Sequence, residues 1–244
     1  MVTKNQIKLI KSLHQKKYRK EHQLFIAEGV KVIKELIQSA FVLEAIYVTE
    51  TIDFGSNGSK IHQVSIAEME KMSALTSPSN CLAVFHCINQ KEVDYSDLVV
   101  ALDDIRDPGN MGTIIRLCDW FGVKHIICTK ETVDIYNPKV IQATMGSITR
   151  VNIVYGDLSH FIHSSEEIAV FGTFMDGDNI YQQQLPTKGI IVFGNEANGI
   201  SKEIEQQVTK RIAIPRFGDL QQTESLNVAM ASSIVLSEFR RNTI

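Results

Sequence analysis

The sequence predicts an α/β protein in two parts: a small α/β unit over 1–90 and a larger unit with a parallel sheet over 91–244. Three observations carry this. LVVAL at 98–102 and GIIVF at 189–193 are continuous apolar runs, as in strands covered on both faces. Helical patterns alternate with these runs, and alternating strands and helices build a parallel sheet with helices on its faces. The stretch 89–97 is polar and charged, as a linker between domains would be.

In the first unit, Ile7, Ile10 and Leu13 have the spacing of a short amphipathic helix. FIA at 25–27 reads as a strand ending at Glu28 and Gly29, and Val30, Ile33 and Ile37 then repeat at helical intervals. AIYV at 45–48 is a strand. The run 53–59, with two glycines and Asn57, has turn chemistry, and 61–64 is a short strand. Ser65 and Glu68 form a capping box for a helix reaching about Met72. After the loop 76–80, CLAVF at 81–85 is a strand.

In the second unit, strand 98–102 feeds the loop 103–109. A helix follows with Met111, Ile114, Ile115, Cys118 and Phe121 on one face, closed by Gly122 at C′. IIC at 126–128 is the next strand, and Asn137 with Pro138 opens another helix. The runs 168–174 and 189–193 are buried strands. Ser201 caps a helix carrying Glu203 in its first turn, where the dipole favours a carboxylate. IAI at 212–214 is a strand stopped by Pro215. A polar loop over 216–224 leads to a helix from about Leu226 to Phe239, with Ser225 as its N-cap. That helix is apolar or small on all sides, as a buried helix is. Asn227 lies in its first turn, so an amide is delivered to the mouth of a buried helix, as the wall of a ligand site.

Composition excludes several classes. No run of about 18 apolar residues is present, so no membrane span is expected, and MVTKNQIKLIKS lacks the apolar core of a signal peptide. Cys81, Cys87, Cys118 and Cys128 show no metal-like spacing and read as reduced core thiols of a cytoplasmic protein. His160 and His163 lack a third ligand and read as surface residues, so no metal is expected. Net charge is −3, but its distribution is uneven. Residues 1–31 hold Lys4, Lys8, Lys11, Lys16, Lys17, Arg19, Lys20 and Lys31 against Glu21 and Glu28, a net of +6, which leaves −9 on the rest. The basic segment reads either as a phosphate-contacting edge or as a solvated helix face.

Ligands of open parallel sheets bind beyond the carboxyl ends of the strands. The loops at 103–110, 194–199 and 216–225 are therefore the candidates. There is no GxGxxG after a strand. The P-loop spacing from Gly194 to Ser201 fails because Ile200 stands where the phosphate-binding lysine must be. Asn110 and Gly112 precede Arg116 by one to two helical turns, which brings Arg116 toward the same mouth. A surface pair with Asp119 is the plainer reading of Arg116, and a structural brace that of Glu196.

NMGTIIR at 110–116, FGNEANGI at 193–200, and IP at 214–215 followed by ESLNVAMA at 224–231 resemble the three motifs of the SpoU/TrmH RNA methyltransferases. KSLHQKKYRKEHQLFIAEG at 11–29 and LTSPSNCLAVF at 75–85 are similar to that family's L30e-like substrate-binding domain, so the resemblance spans nearly the whole chain. It implies a SPOUT catalytic domain with a C-terminal deep trefoil knot, a rare exception to unthreaded topology. It also implies a homodimer, S-adenosylmethionine as cofactor, and methylation of a ribose 2′-hydroxyl in rRNA or tRNA. By motif, Asn110, Arg116, Glu196, Ser225 and Asn227 fall on catalytic positions, and Gly194, Asn195, Ile214, Leu226 and Thr173 on cofactor-binding ones. A catalytically silent RNA-binding factor on the same fold is the alternative. Two departures from the pattern bear on target choice, a longer spacer at 219–224 and Arg216 in place of a frequent methionine, and Gln142 in place of a frequent arginine removes one RNA-phosphate contact that the resemblance would imply.

Overall fold

The computed structural model describes residues 2–165, 168–219 and 225–241. Most of the long spacer expected between Gly218 and Ser225, residues 220–224, lies outside the described residues. The chain divides into two compact units, Met1–Asn89 with Asp134–Thr149, and Gln90–Val133 with Arg150–Ile244.

The first unit runs α1 (Lys4–Ser12), α2 (Lys16–His22), β1 (Leu24–Glu28), α3 (Val30–Ile37), β2 (Leu43–Val48), β3 (Ile61–Gln63), α4 (Ile66–Met72) and β4 (Cys81–His86). The strands form one sheet in the order β1-β4-β2-β3, antiparallel except for the β2–β3 pair. Two capping boxes start helices here: the expected one at Ser65 and Glu68, and another at Thr3 and Gln6. Phe25, Ile33, Leu36, Met69, Met72 and Phe85 are fully buried and fix the core.

The basic N-terminal segment is two helices, α1 and α2. Lys4, Lys8, Lys11, Lys16, Lys17 and Lys20 are exposed on them. Arg19 is not part of that edge, because its side chain is only 3% exposed. Its Nε and one terminal nitrogen donate to Asp134 Oδ2 at 2.9 and 2.6 Å, and the other terminal nitrogen donates to the carbonyls of Leu13 and His14. A buried guanidinium so paired holds the turn between α1 and α2.

The second unit begins with β5 (Leu98–Leu102), α5 (Pro108–Trp120) and β6 (His125–Thr129). The chain then passes through α6 (Pro138–Thr144), which belongs to the first unit and packs on β1. It continues as β7 (Asn152–Gly156), α7 (Leu158–His163), β8 (Val170–Asn179), β9 (Gly189–Phe193), α8 (Lys202–Glu205), β10 (Lys210–Ala213) and α9 (Val228–Arg240). All strand pairs of this sheet are parallel, in the order β10-β8-β9-β5-β6-β7. That is the parallel α/β architecture expected from the apolar runs. Strands 98–102 and 189–193 are buried at every position.

Strand order makes the site predictable. From β5 the chain proceeds through β6 and β7 to one side, whereas β9 leads to β10 on the other. The order therefore reverses between the neighbours β5 and β9, and at such a switch point the loops leaving the two strands diverge and open a crevice.

Three elements were not expected, α2, β7 and α7; α2 is KKYRKEH, seven residues without an apolar repeat. β7 is a half-buried edge strand of five residues, and α7 has only six, too few for periodicity to be read. The final helix also differs. It starts at Val228 with Asn227, not Ser225, as N-cap, and Met230 on it is 60% exposed, so the helix is not buried on all sides.

Candidate active site

The crevice is built from the loops after β5 and β9 and from the start of α9. Asp107 caps α5, accepting from the Asn110 N–H at 2.8 Å, with Pro108 at N1. This fixes Asn110 in the first turn of α5 with its amide directed outward. Asn110 Nδ2 donates to Glu196 Oε1 at 2.6 Å, and Asn110 Oδ1 accepts from Asn227 Nδ2 at 2.9 Å. Asn227 Oδ1 meanwhile accepts from the Ala229 and Met230 N–H groups as the cap of α9. One hydrogen-bonded chain, Glu196–Asn110–Asn227, thus joins all three loops singled out in the sequence.

The loop after β9 is braced from within. Asn195 and Gly199 exchange backbone hydrogen bonds at 3.0 and 2.8 Å, and Asn195 Oδ1 accepts from the Ala197 and Asn198 N–H groups. Gly194 is required because a Cβ there would lie 2.2 Å from the Gly199 carbonyl carbon, and Gly199 has φ +69°. The two glycines therefore serve the loop's own closure. Two further bonds lock this loop to the one after β5. Asn195 Nδ2 donates to the Asp104 carbonyl at 2.7 Å, and the buried Asp103 accepts from the Ser201 N–H at 2.7 Å. Asp104 itself is left-handed, φ +59°, with its N–H held by Thr129 Oγ1. Asp103, Asp104 and Asp107 escaped the sequence reading. Only the Asp-Pro pair at 107–108 carried a usable signal, that of an N-cap before a proline at N1.

Arg116 is exposed on α5, and among the described residues it makes no hydrogen bond or ion pair. It stands six residues beyond Asn110, about 9 Å of helix rise, outside the hydrogen-bonded chain. Asp119, the partner that the plainer reading required, is taken by Arg150 at 2.9 Å. Ser225 is exposed. Leu226 is half exposed and Ile214 half buried, so apolar surface borders the polar chain. Thr173 follows Gly172, which pairs with Val192, and Thr173 Oγ1 donates to the Val192 carbonyl at 3.0 Å. It therefore lies at the carboxyl end of the sheet, level with the start of the 194–199 loop.

Burial pushes the thiols of Cys118 and Cys128 well up, and that of Cys87 to about 12, so none of the three is a ready nucleophile. His160 and His163 are exposed, and among the described residues no group of three His, Cys, Asp or Glu side chains could hold a metal ion. No helix of the described residues is long and apolar enough to cross a membrane.

Comparison with known proteins agrees with this geometry. The family model of the SpoU rRNA Methylase family matches residues 97–237, and that of the MRM3-like substrate binding domain matches 4–83. The chain is 28% identical to the 23S rRNA (guanosine(2553)-2′-O)-methyltransferase RlmP of Bacillus subtilis, over 97% of each chain. It superposes on a TrmH-family protein of Porphyromonas gingivalis with TM-score 0.88 and 34% identity, covering 99% of both chains. It also superposes on an AdoMet-bound rRNA methyltransferase of Sinorhizobium meliloti with TM-score 0.86 and 27% identity, covering 100% of this chain and 97% of that one. With three motifs joined at one switch point, and matches that run nearly end to end, the chain belongs to the SpoU rRNA methylase family.

Proposed function

We propose that the protein is an S-adenosylmethionine-dependent RNA methyltransferase that methylates a ribose 2′-hydroxyl of ribosomal RNA. The observation that carries this is the Glu196–Asn110–Asn227 chain across the switch point. The residues present fit the cofactor. Half-exposed Leu226 and half-buried Ile214 offer apolar surface for a nucleoside base beside open loop backbone. Gly194, Asn195 and Thr173 shape the other wall, Asn195 through its braces rather than a free side chain. S-adenosylmethionine, when bound there, supplies the methyl group on an activated sulfonium.

The protein's task is then to position the ribose oxygen and to stabilise charge as its proton leaves. Orientation alone supplies much of such an acceleration. Arg116, exposed and without a partner among the described residues, is the donor for an RNA phosphate and for the developing negative charge on the 2′-oxygen. A guanidinium donates and does not accept, so the proton passes to the RNA phosphate or to solvent. Asn110, Asn227 and Ser225 orient the nucleotide, and Glu196 holds Asn110 in place.

The exposed lysines of α1 and α2 bind RNA phosphates without regard to sequence. Trp120 on α5 is 84% exposed and Met230 on α9 60% exposed, and these two helices pack on each other. Apolar surface of that kind marks the face through which a symmetric homodimer forms. The trefoil knot belongs to the same proposal. Its support is the main-chain contact of Gly177 with Ile212, and the return of α9 to α5 after β10 at the far edge. A cytoplasmic location follows from the ribosomal substrate.

The test has two parts. S-adenosylmethionine and S-adenosylhomocysteine should raise the melting temperature by mass action, and rRNA from cells lacking the gene should lose one 2′-O-methyl mark. No melting shift at saturating cofactor would favour the silent RNA-binding factor instead.

A further inference from the structure

β8 and β10 do not pair in continuous register. Lys210 and Arg211 lie opposite Phe171 and Gly172, but Ile212 and Ala213 lie opposite Asp178 and Asn179. Residues 173–177 therefore bulge out of the ladder at the carboxyl end of the sheet, starting at Thr173. Backbone that leaves a ladder needs other groups to hold it. Arg211 holds this bulge through two of the bulge's side chains, those of Phe174 and Asp176. One terminal nitrogen donates to Asp176 Oδ1 at 2.6 Å and the other to Glu205 Oε1 at 2.6 Å, while the guanidinium carbon sits 3.5 Å from the centre of the Phe174 ring. Phe174 and Asp176 belong to the bulge, and Glu205 ends α8, the helix after the 194–199 loop. Arg211 itself is on the strand that leads to Ile214. Gly177 closes the bulge against the opposite strand, where a Cβ would come 2.6 Å from the Ile212 carbonyl carbon.

We propose that Arg211 is a positioning residue for the cofactor side of the site: it holds the 173–177 bulge, and with it the wall containing Thr173, in the form that accepts S-adenosylmethionine. This rests on the methyltransferase reading above. A planar guanidinium addresses two carboxylates and a ring face together, which an ammonium cannot do. Exposed ion pairs add little to global stability, so the effect falls on the shape of the bulge and not on the fold.

The experiment is calorimetric titration of the full-length protein with S-adenosylmethionine, with steady-state methylation in parallel. Arg211→Ala should raise the cofactor Kd and KM by about tenfold or more and leave kcat at saturating cofactor within about threefold. Its ligand-free melting temperature should stay within a few degrees of wild type, as for an exposed pair. Arg211→Lys should recover only part of the affinity, and Lys210→Ala, on the same strand, should change nothing. Asp176→Asn leaves the Glu205 contact intact and should raise Kd by a smaller factor, which keeps the test open if Arg211→Ala folds poorly. An unchanged Kd in both Arg211→Ala and Asp176→Asn, with wild type binding normally, overturns the proposal alone. Wild type that binds no cofactor overturns the methyltransferase reading, and this proposal with it.

Discussion

At the scale of single residues, Asn227 shows how one side chain serves fold and site together. Its oxygen caps α9 and its nitrogen reaches Asn110. Asn227→Asp separates the two duties, because Asp caps a helix equally well but cannot donate to Asn110. The variant should melt near the wild-type temperature and lose about tenfold or more in methyl transfer, roughly 1.4 kcal/mol of transition-state stabilisation, measured as kcat/KM. Sequence alone drew attention to Asn227 but placed the cap two residues early, because Ser225 is an equally good cap type and only geometry chooses between them. Arg19 was misread for a different reason. Its partner Asp134 is 115 residues away in sequence, so no local pattern could reveal the pair. Arg19→Ala should cost about 3–5 kcal/mol in denaturant unfolding, since it leaves the Asp134 carboxylate, only 15% exposed, without its cation. A third residue sets a pH response. Burial pushes the His125 imidazole below its ordinary value, and its Nδ1 accepts from Asn152, whose amide is oriented by two bonds to the Lys91 backbone. The unfolded chain therefore takes up this proton first, and stability from His125 is lost as pH falls from about 6.5 through the lower folded value. His125→Gln should flatten the slope of stability against pH in that window.

At the scale of elements, the central strands and long helices were legible because each combines an apolar pattern with punctuation. β5, β9 and α3 have the bounds read from the sequence, and α6 has the expected Asn137 cap and Pro138. α2, β7 and α7 were not legible, being only seven, five and six residues long. The site was legible as three loops but not as one network. The bonds that make it one, Asn110 to Glu196 and Asn110 to Asn227, span 86 and 117 residues. In the 194–199 loop, Gly194 makes room for the loop's own return. Gly194→Ala should therefore distort the loop even without cofactor, costing about 1–3 kcal/mol as an overpacked site does. It should also abolish the melting shift with S-adenosylmethionine. A variant that keeps both stability and cofactor response would show that the loop can open without consequence.

At the scale of the whole molecule, the proposed RNA face is basic and the proposed dimer face is apolar. Reversing Lys16, Lys17 and Lys20 to Glu should lower RNA affinity and reduce the slope of log affinity against log salt by about one unit for each RNA phosphate no longer neutralised, with cofactor binding unchanged. Arg19 must stay out of that set, since it is structural. Trp120→Ala with Met230→Ala should shift sedimentation of the full chain toward monomer. The most direct test of the site is single-turnover methyl transfer from labelled S-adenosylmethionine to ribosomal RNA, with the product digested to nucleosides to locate the label. Wild type should place the methyl on a ribose 2′-oxygen, and Arg116→Ala should slow that step by roughly 100-fold or more with cofactor affinity intact. Label on a base, or transfer by Arg116→Ala at the wild-type rate, would contradict the assignment of the switch-point loops and Arg116 as a ribose methylation site.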